Sequence, residues 1–257
     1  DDKDFFPPYF AAPLVRRDTL DEFPQLRDTL NQLAGKITNK AMRQMNYEVD
    51  ENRRMAADVA REFLVSEGLL EEGAKAGTGG AGTVVIGSKA FTEQEILGEM
   101  MAQLVECTTD IGVDRKLGLG GTMVCFTALN AGDLDLYAEY TGTGLVSILD
   151  RDVISDPQEA YDVVQSAFQE EYDLTWLEPF GFNNTYTLTM RKEQANELGI
   201  ESILAAGHVE CEPGFTPRIR RGFGRSRLEP TGRRRARVDG LAAGCFGLEE
   251  AYALLQP

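Results

Sequence analysis

The side chains that could do chemistry are few, and their spacing favours holding a ligand over transforming one. His208 is the only histidine, and Cys107, Cys125, Cys211 and Cys245 include no Cys-x-x-Cys pair. A zinc site and a histidine-based triad therefore lack the residues they need, and no metal-binding or catalytic residue is expected. Cys125 falls in an apolar helical pattern and reads as core. The turn Gly118-Leu119-Gly120-Gly121-Thr122 has glycines like a phosphate-binding loop, but neither the Gly-Lys-Ser/Thr ending nor the Gly-x-Gly-x-x-Gly spacing, so it reads as a tight turn. Lys89 is different, because it stands just before a helix that Thr92 and Glu95 open as a capping box. Its ammonium and the positive end of the helix dipole would add at an anion.

Five separated segments carry more. Gly87-Ser88-Lys89-Ala90-Phe91-Thr92-Glu93-Gln94, Leu119-Gly120-Gly121-Thr122-Met123-Val124-Cys125-Phe126, Tyr137-Ala138-Glu139-Tyr140-Thr141-Gly142-Thr143, Phe182-Asn183-Asn184-Thr185-Tyr186 and Phe5-Phe6-Pro7-Pro8-Tyr9 span roughly residues 1 to 205. They resemble the signature segments of the extracytoplasmic substrate-binding proteins of ABC transporters that import glycine betaine, choline and related osmoprotectants. The resemblance implies a two-lobed, periplasmic-binding-protein-like (type II) α/β fold, with a parallel sheet, flanking helices and lobes that close on the ligand about a hinge. It implies a periplasmic or extracytoplasmic protein, membrane-associated through its transporter, that hands ligand to an ABC permease and its ATPase. No catalysis and no cofactor are implied.

A quaternary ammonium ion cannot donate a hydrogen bond, so its charge is recognised through aromatic faces, each contributing about 0.5 to 2 kcal/mol when desolvated. Tyrosine suits this, since a neighbour can hold the hydroxyl and fix the ring. Tyr9, Tyr140 and Tyr186 fall on the matching motif positions, and the resemblance implies that they line such a cage. Lys89, Gln94, Thr143 and Asn184 occupy motif positions in loops at strand or helix ends, where open α/β sheets bind ligands, and are implied as partners for the carboxylate or hydroxyl end.

The segments stand in tail-then-head order, because Phe-Phe-Pro-Pro-Tyr belongs near the family's C-terminus yet opens this chain. The expected organisation is a mostly helical C-terminal segment of a binding domain over 1–70, a Gly-rich linker over 71–83, a first α/β lobe over 84–180, and the start of a second lobe over 181–257 with an irregular Arg-rich stretch at 213–240. Three arrangements give this order: a circular permutant, a slice through two tandem binding domains, or self-association in which chains exchange tails. The slice also accounts for the abrupt start at Asp1 and end at Pro257. The likeness fails beyond about residue 209 and returns at Gly247-Leu248-Glu249-Glu250-Ala251-Tyr252, as a compensated frameshift in a GC-rich gene would produce. About 40 family residues, including a second-lobe strand, have no counterpart, so an incomplete, non-binding remnant is the alternative reading. An enzyme acting on choline or betaine is a further one, without a site to support it.

The elements that must position these residues are legible as periodicities. Leu20, Phe23, Leu26, Leu30 and Leu33 recur at helical spacing over residues 14–35, closed by Gly35. Thr38 can cap a second helix to about Tyr47, and a third from about Arg53 to Glu67 stops at Gly68. The stretch EEGAKAGTGGAGT, with five glycines and no large apolar side chain, reads as flexible. Val84-Val85-Ile86 then forms a strand, followed by a helix burying Ile96, Leu97, Met100, Met101, Leu104 and Val105. A strand near Lys116, a helix from Met123 to Leu129, a strand from Leu134 to Tyr137, a helix over 156–171, a strand at Trp176 and a strand from Asn184 to Met190 complete the pattern of an α/β sheet.

At 257 residues and 42% hydrophobic, the chain can bury a sizeable core. It carries no apolar run near the roughly 18 to 20 residues that span a bilayer, and no export signal at its start. Of the net charge of −16, residues 218–237 contribute +8, with nine arginines against Glu229, which leaves −24 elsewhere. So acidic a surface argues against a nucleic-acid partner, and the arginine cluster has only Phe223 as an interleaved aromatic.

Overall fold

The computed structural model describes residues 7–189, 191–199 and 218–221, and the chain divides into two units between Thr185 and Tyr186. Phe5, Phe6, Met190, His208, Cys211, Cys245 and the segments 200–217 and 222–257 lie outside the described residues.

The first unit is built on a five-stranded sheet in the order β3-β2-β4-β1-β5. Its strands are β1 (Ala11–Arg16), β2 (Thr83–Gly87), β3 (Gly112–Lys116), β4 (Leu136–Tyr140) and β5 (Leu174–Trp176). The α/β class holds, but the sheet is mixed where a parallel one was expected. β2 runs parallel to β3 and β4, through the crossover helices α5 (Thr92–Thr108) and α6 (Thr122–Ala131). β1 runs antiparallel to both β4 and β5, with Leu14 opposite Tyr137 on one side and Trp176 on the other.

A proline inside a central strand needs a reason. The carbonyls of Ala11 and Pro13 accept from Phe180 and Leu177, each at 2.9 Å, on the side where β5 has already ended. The N–H that Pro13 lacks would point to that same side, so the ladder to β4 is unbroken.

The helical spacing across residues 14–35 resolves into β1 and two short helices, α1 (Arg17–Glu22) and α2 (Gln25–Asn31), because Pro24 cannot continue α1 and instead caps α2. α3 (Asn39–Asp50) begins as expected at Thr38, whose hydroxyl accepts from the Ala41 amide at 3.1 Å. α4 (Ala56–Ser66) follows. Leu26, Leu30, Met42 and Leu64 from this segment share one buried cluster with Ile86, Leu97, Met100 and Leu104 on one face of the sheet. A second cluster, with Leu14, Phe126, Leu145, Phe168 and Trp176, covers the other face under α8 (Pro157–Tyr172). Residues 7–70 and 83–185 of the one chain thus contribute to both clusters.

The glycine-rich joint is docked rather than loose. The Gly77 amide donates to the Glu106 carbonyl at 2.7 Å, and Thr78 bonds Asp110 through its amide and its hydroxyl. A Cβ on Gly77 would lie 2.7 Å from the Thr109 carbonyl oxygen, so glycine is what permits the approach. In the second unit β6 (Tyr186–Thr189) pairs antiparallel with β7 (Arg218–Arg221), a strand within the stretch expected to be irregular, and α9 (Lys192–Leu198) lies between them in sequence.

Candidate functional site

Two βα loops meet at the C-terminal ends of β2 and β3. Ser88 ties them: its hydroxyl accepts from the Gly118 amide at 2.8 Å, its carbonyl from Leu119 at 3.0 Å, and Ala90 donates to the Gly120 carbonyl at 2.9 Å. Gly118 and Gly120 have φ of +70° and +152°, so the tight-turn reading of these glycines holds. The helix start differs from expectation, since Phe91 occupies the cap position of α5 with no side-chain cap. The Thr92 hydroxyl instead bonds Asp50 of α3 at 2.5 Å.

These loops place Lys89 inside the protein, at 2% exposure. Its ammonium donates to Glu139 at 2.5 Å and to the Thr122 hydroxyl at 2.9 Å, and lies 5.0 Å from the centroid of the Tyr140 ring. Glu139, fully buried in β4, also accepts from the Tyr137 hydroxyl at 3.0 Å and from the Tyr140 amide at 2.7 Å. A buried ion pair is tolerable only when such bonds satisfy both partners.

Next to this pair stands a second carboxylate. Glu93, in the first turn of α5, accepts on one oxygen from the Tyr140 hydroxyl at 2.6 Å and the Asn184 amide group at 3.0 Å. Its other oxygen accepts from Asn46 of α3 at 3.4 Å. Burial pushes Glu93 up to about 7, against the opposing pull of those three donors and the Lys89 charge. Burial, and then the Glu93 charge, push the Tyr140 hydroxyl well above its ordinary range. The same causes, with Glu139 as the charge, act on Tyr137. Cys125, raised to about 11 by burial, sits in the core as read from sequence.

Of the seven expected site residues, Lys89, Gln94, Tyr140 and Asn184 converge on this cluster. The Gln94 carbonyl oxygen accepts from the Lys89 amide at 3.4 Å. The Gln94 Nε2 and the Asn184 Oδ1 are buried with no hydrogen-bond partner among the described residues. Tyr9 is half-buried at the edge: its carbonyl accepts from the Asn184 amide at 2.9 Å, and its own amide donates to Asn183 at 2.9 Å. Its ring lies on the turn after β4, where a Cβ on Gly142 would come within 2.8 Å of it. Thr143 follows Gly142 in α7 (Thr141–Thr143), which runs into a π-helical turn over Gly144–Ile148. The Tyr186 backbone belongs to β6 of the second unit, and its side chain lies outside the described residues.

Glu93, Glu139, Asn46 and Thr122 were not among the expected site residues. A signal for Glu139 was present: a lone acid in Leu-Tyr-Ala-Glu-Tyr, a strand buried at every position, must be paired. Asn46 likewise follows Met42 and Met45 on the apolar stripe of α3. Among the described residues no helix is long and apolar enough to cross a membrane.

An aromatic ring with fixed polar partners thus stands at the loop ends of an open α/β sheet, the place where such sheets bind small molecules. The chain belongs to the family described as the substrate binding domain of the ABC-type glycine betaine transport system, which it matches over residues 1–66 and 82–235. The second block continues past residue 209, where the likeness was expected to fail. The chain is 34% identical over 153 residues to the carnitine transport binding protein OpuCC of Listeria monocytogenes, covering 58% of this chain and 50% of that one. It is 40% identical over 146 residues to a glycine-betaine-binding protein of Pseudomonas aeruginosa, covering 55% and 46%. The solved structure of apo YehZ from Escherichia coli aligns at a TM-score of 0.39 and 31% identity, over 49% of this chain and 45% of that one. The chain spans about half the length of the curated relatives it matches.

Proposed function

We propose that this chain acts outside the cytoplasm as the ligand-capturing component of an ABC importer for glycine betaine-, choline- or carnitine-type osmoprotectants, handing ligand to a permease and its ATPase and catalysing no reaction. The observation that supports it most is Tyr140. Its ring is buried at the end of β4, its hydroxyl is fixed by Glu93, and its π system already lies 5.0 Å from an ammonium, that of Lys89. In this reading Tyr140 and Tyr9 are walls around the quaternary nitrogen, and the same role for Tyr186 rests on the family resemblance alone. Gln94 and Asn184 offer their unpartnered buried atoms, and Thr143 its hydroxyl, to the polar end of the ligand. Lys89 serves twice, offsetting Glu139 and facing the ligand's carboxylate. The tail-then-head order is read as a permutation, in which residues 7–70 complete the lobe of their own chain, as the shared core suggests.

Calorimetric titration with glycine betaine, choline and carnitine tests the reading, with proline, which lacks a quaternary nitrogen, as the control. Saturable binding of one or more of the first three, and none of proline, is the expected result. A folded sample that binds none of them removes the reading.

A further inference from the structure

Among the described residues Glu93 is a fully buried carboxylate without an ion-pair partner, because the nearby cation, Lys89, is bonded to Glu139. The Lys89–Glu139 pair is formally neutral, so among Lys89, Glu139 and Glu93 ionisation of Glu93 adds one negative charge. Three donors converge on it from three parts of the chain: Tyr140 from the end of β4, Asn184 from the segment after β5, and Asn46 from α3. No hydrogen bond to the Asn46 Oδ1 or the Asn184 Oδ1 is formed among the described residues, so both amides spend their donors on Glu93.

We propose that Glu93 is a positioning residue for quaternary ammonium recognition: its carboxylate fixes the Tyr140 ring, enriches the ring's π face through the short phenol–carboxylate bond, and sets the sign of the local charge. This rests on the reading of Tyr140 as a cage wall. A phenol that donates to a carboxylate takes on part of its charge, and a more electron-rich face attracts a cation more strongly. The same carboxylate ties Asn184 to the ring, so the ring and the polar partner would be held as one piece.

The titratable and charged groups around Glu93 are Lys89 in the loop after β2, Tyr137, Glu139 and Tyr140 of β4, and Asp50 of α3, which bonds the adjacent Thr92. Tyr137 and Tyr140 are held above the ordinary tyrosine range and stay protonated near neutrality. Glu93, with burial placing it at about 7, changes its proton occupancy there. Affinity for a cation should therefore rise with pH, as Glu93 ionises.

Choline binding by the full chain at pH 6 and pH 8 tests this, with Glu93→Gln, Tyr140→Phe and the double variant. Glutamine fits the site: its oxygen keeps the Tyr140 and Asn184 bonds, and Asn46, once flipped, accepts from the new amide through its Oδ1. Each single variant is expected to lose about tenfold in affinity at pH 8, and the double no more than either. Wild type should bind about fivefold more tightly at pH 8 than at pH 6, and Glu93→Gln should lose that slope. A slope that persists in Glu93→Gln overturns the inference. Wild-type affinity in both single variants also overturns it, with the function left standing. Absence of choline and betaine binding by wild type instead overturns the functional reading, and this inference with it. If Glu93→Gln fails to fold, Tyr140→Phe decides, since it removes the other end of the same bond.

Discussion

One helix serves two charge clusters that differ in little but water. Glu93 stands in the first turn of α5, buried beside Lys89, Glu139 and Tyr140. Glu99 and Glu106, further along the same helix, hold Arg115 of β3, with two bonds to Glu106 at 2.7 and 2.6 Å. The Arg115 side chain keeps 30% of its exposure, whereas Lys89 keeps 2%. Hydrogen bonding to Glu106 raises the guanidinium pKa further, so Arg115 is simply a permanent cation. At Glu93 burial dominates and brings a carboxylate into the neutral range. Residues of the same types therefore have different consequences. Where water can replace a lost partner, an ion pair is a small increment; where it cannot, every member depends on the others.

The largest test of that contrast is Glu139→Ala, which leaves the Lys89 ammonium buried without its carboxylate. It should cost about 3 to 5 kcal/mol in denaturant unfolding, and a loss no larger than that of an exposed pair would erase the distinction. Next is the pH dependence contributed by Glu93. Its folded pKa, about 7, lies above its unfolded value of 4.5, so the folded state holds the proton more tightly. Stability from this group is greatest below pH 4.5 and falls as pH rises to about 7, by about 3 kcal/mol in all. Unfolding curves of wild type and Glu93→Gln across that window should converge at acid pH and separate at neutral pH, with the variant the more stable; parallel curves would return Glu93 to the ordinary carboxylates. Tyr140→Ala should weaken glycine betaine binding about tenfold or more by calorimetry, and undiminished affinity would exclude the ring from the site. Smallest is Arg115→Ala, expected to change stability by about 1 kcal/mol or less, an effect that added salt should shrink further.

The contrast also shows where the sequence could be read and where it could not. The strand at Val84–Ile86, the apolar stripe of α5 from Ile96 to Val105 and the Thr38 cap follow from local rules and are found in place. Lys89, Gln94, Tyr140 and Asn184 are legible as candidates from their motif positions alone. What failed was non-local. β1 reads as part of an extended, Pro-rich entry, and becomes a central strand only because its neighbours are Leu136–Tyr140 and Leu174–Trp176. Thr92 looks like a cap, but Asp50, 42 residues away, takes its hydroxyl. Glu93 and Glu139 lie within the motifs but do not stand out there, because the pairing that justifies a buried acid is made in three dimensions.

The placement of β1 sets a timetable for synthesis. The strand at Ala11–Arg16 is made before the partner it needs, Leu136–Tyr140, which follows roughly 120 residues later, about 6 to 24 seconds at ordinary elongation rates. Throughout that interval Leu14 and Val15 wait for β4, while Leu26 and Met42 gain their α5 neighbours earlier, once Thr92–Thr108 has been made. Completion of β4 is thus the step at which β1 gains this neighbour in the sheet.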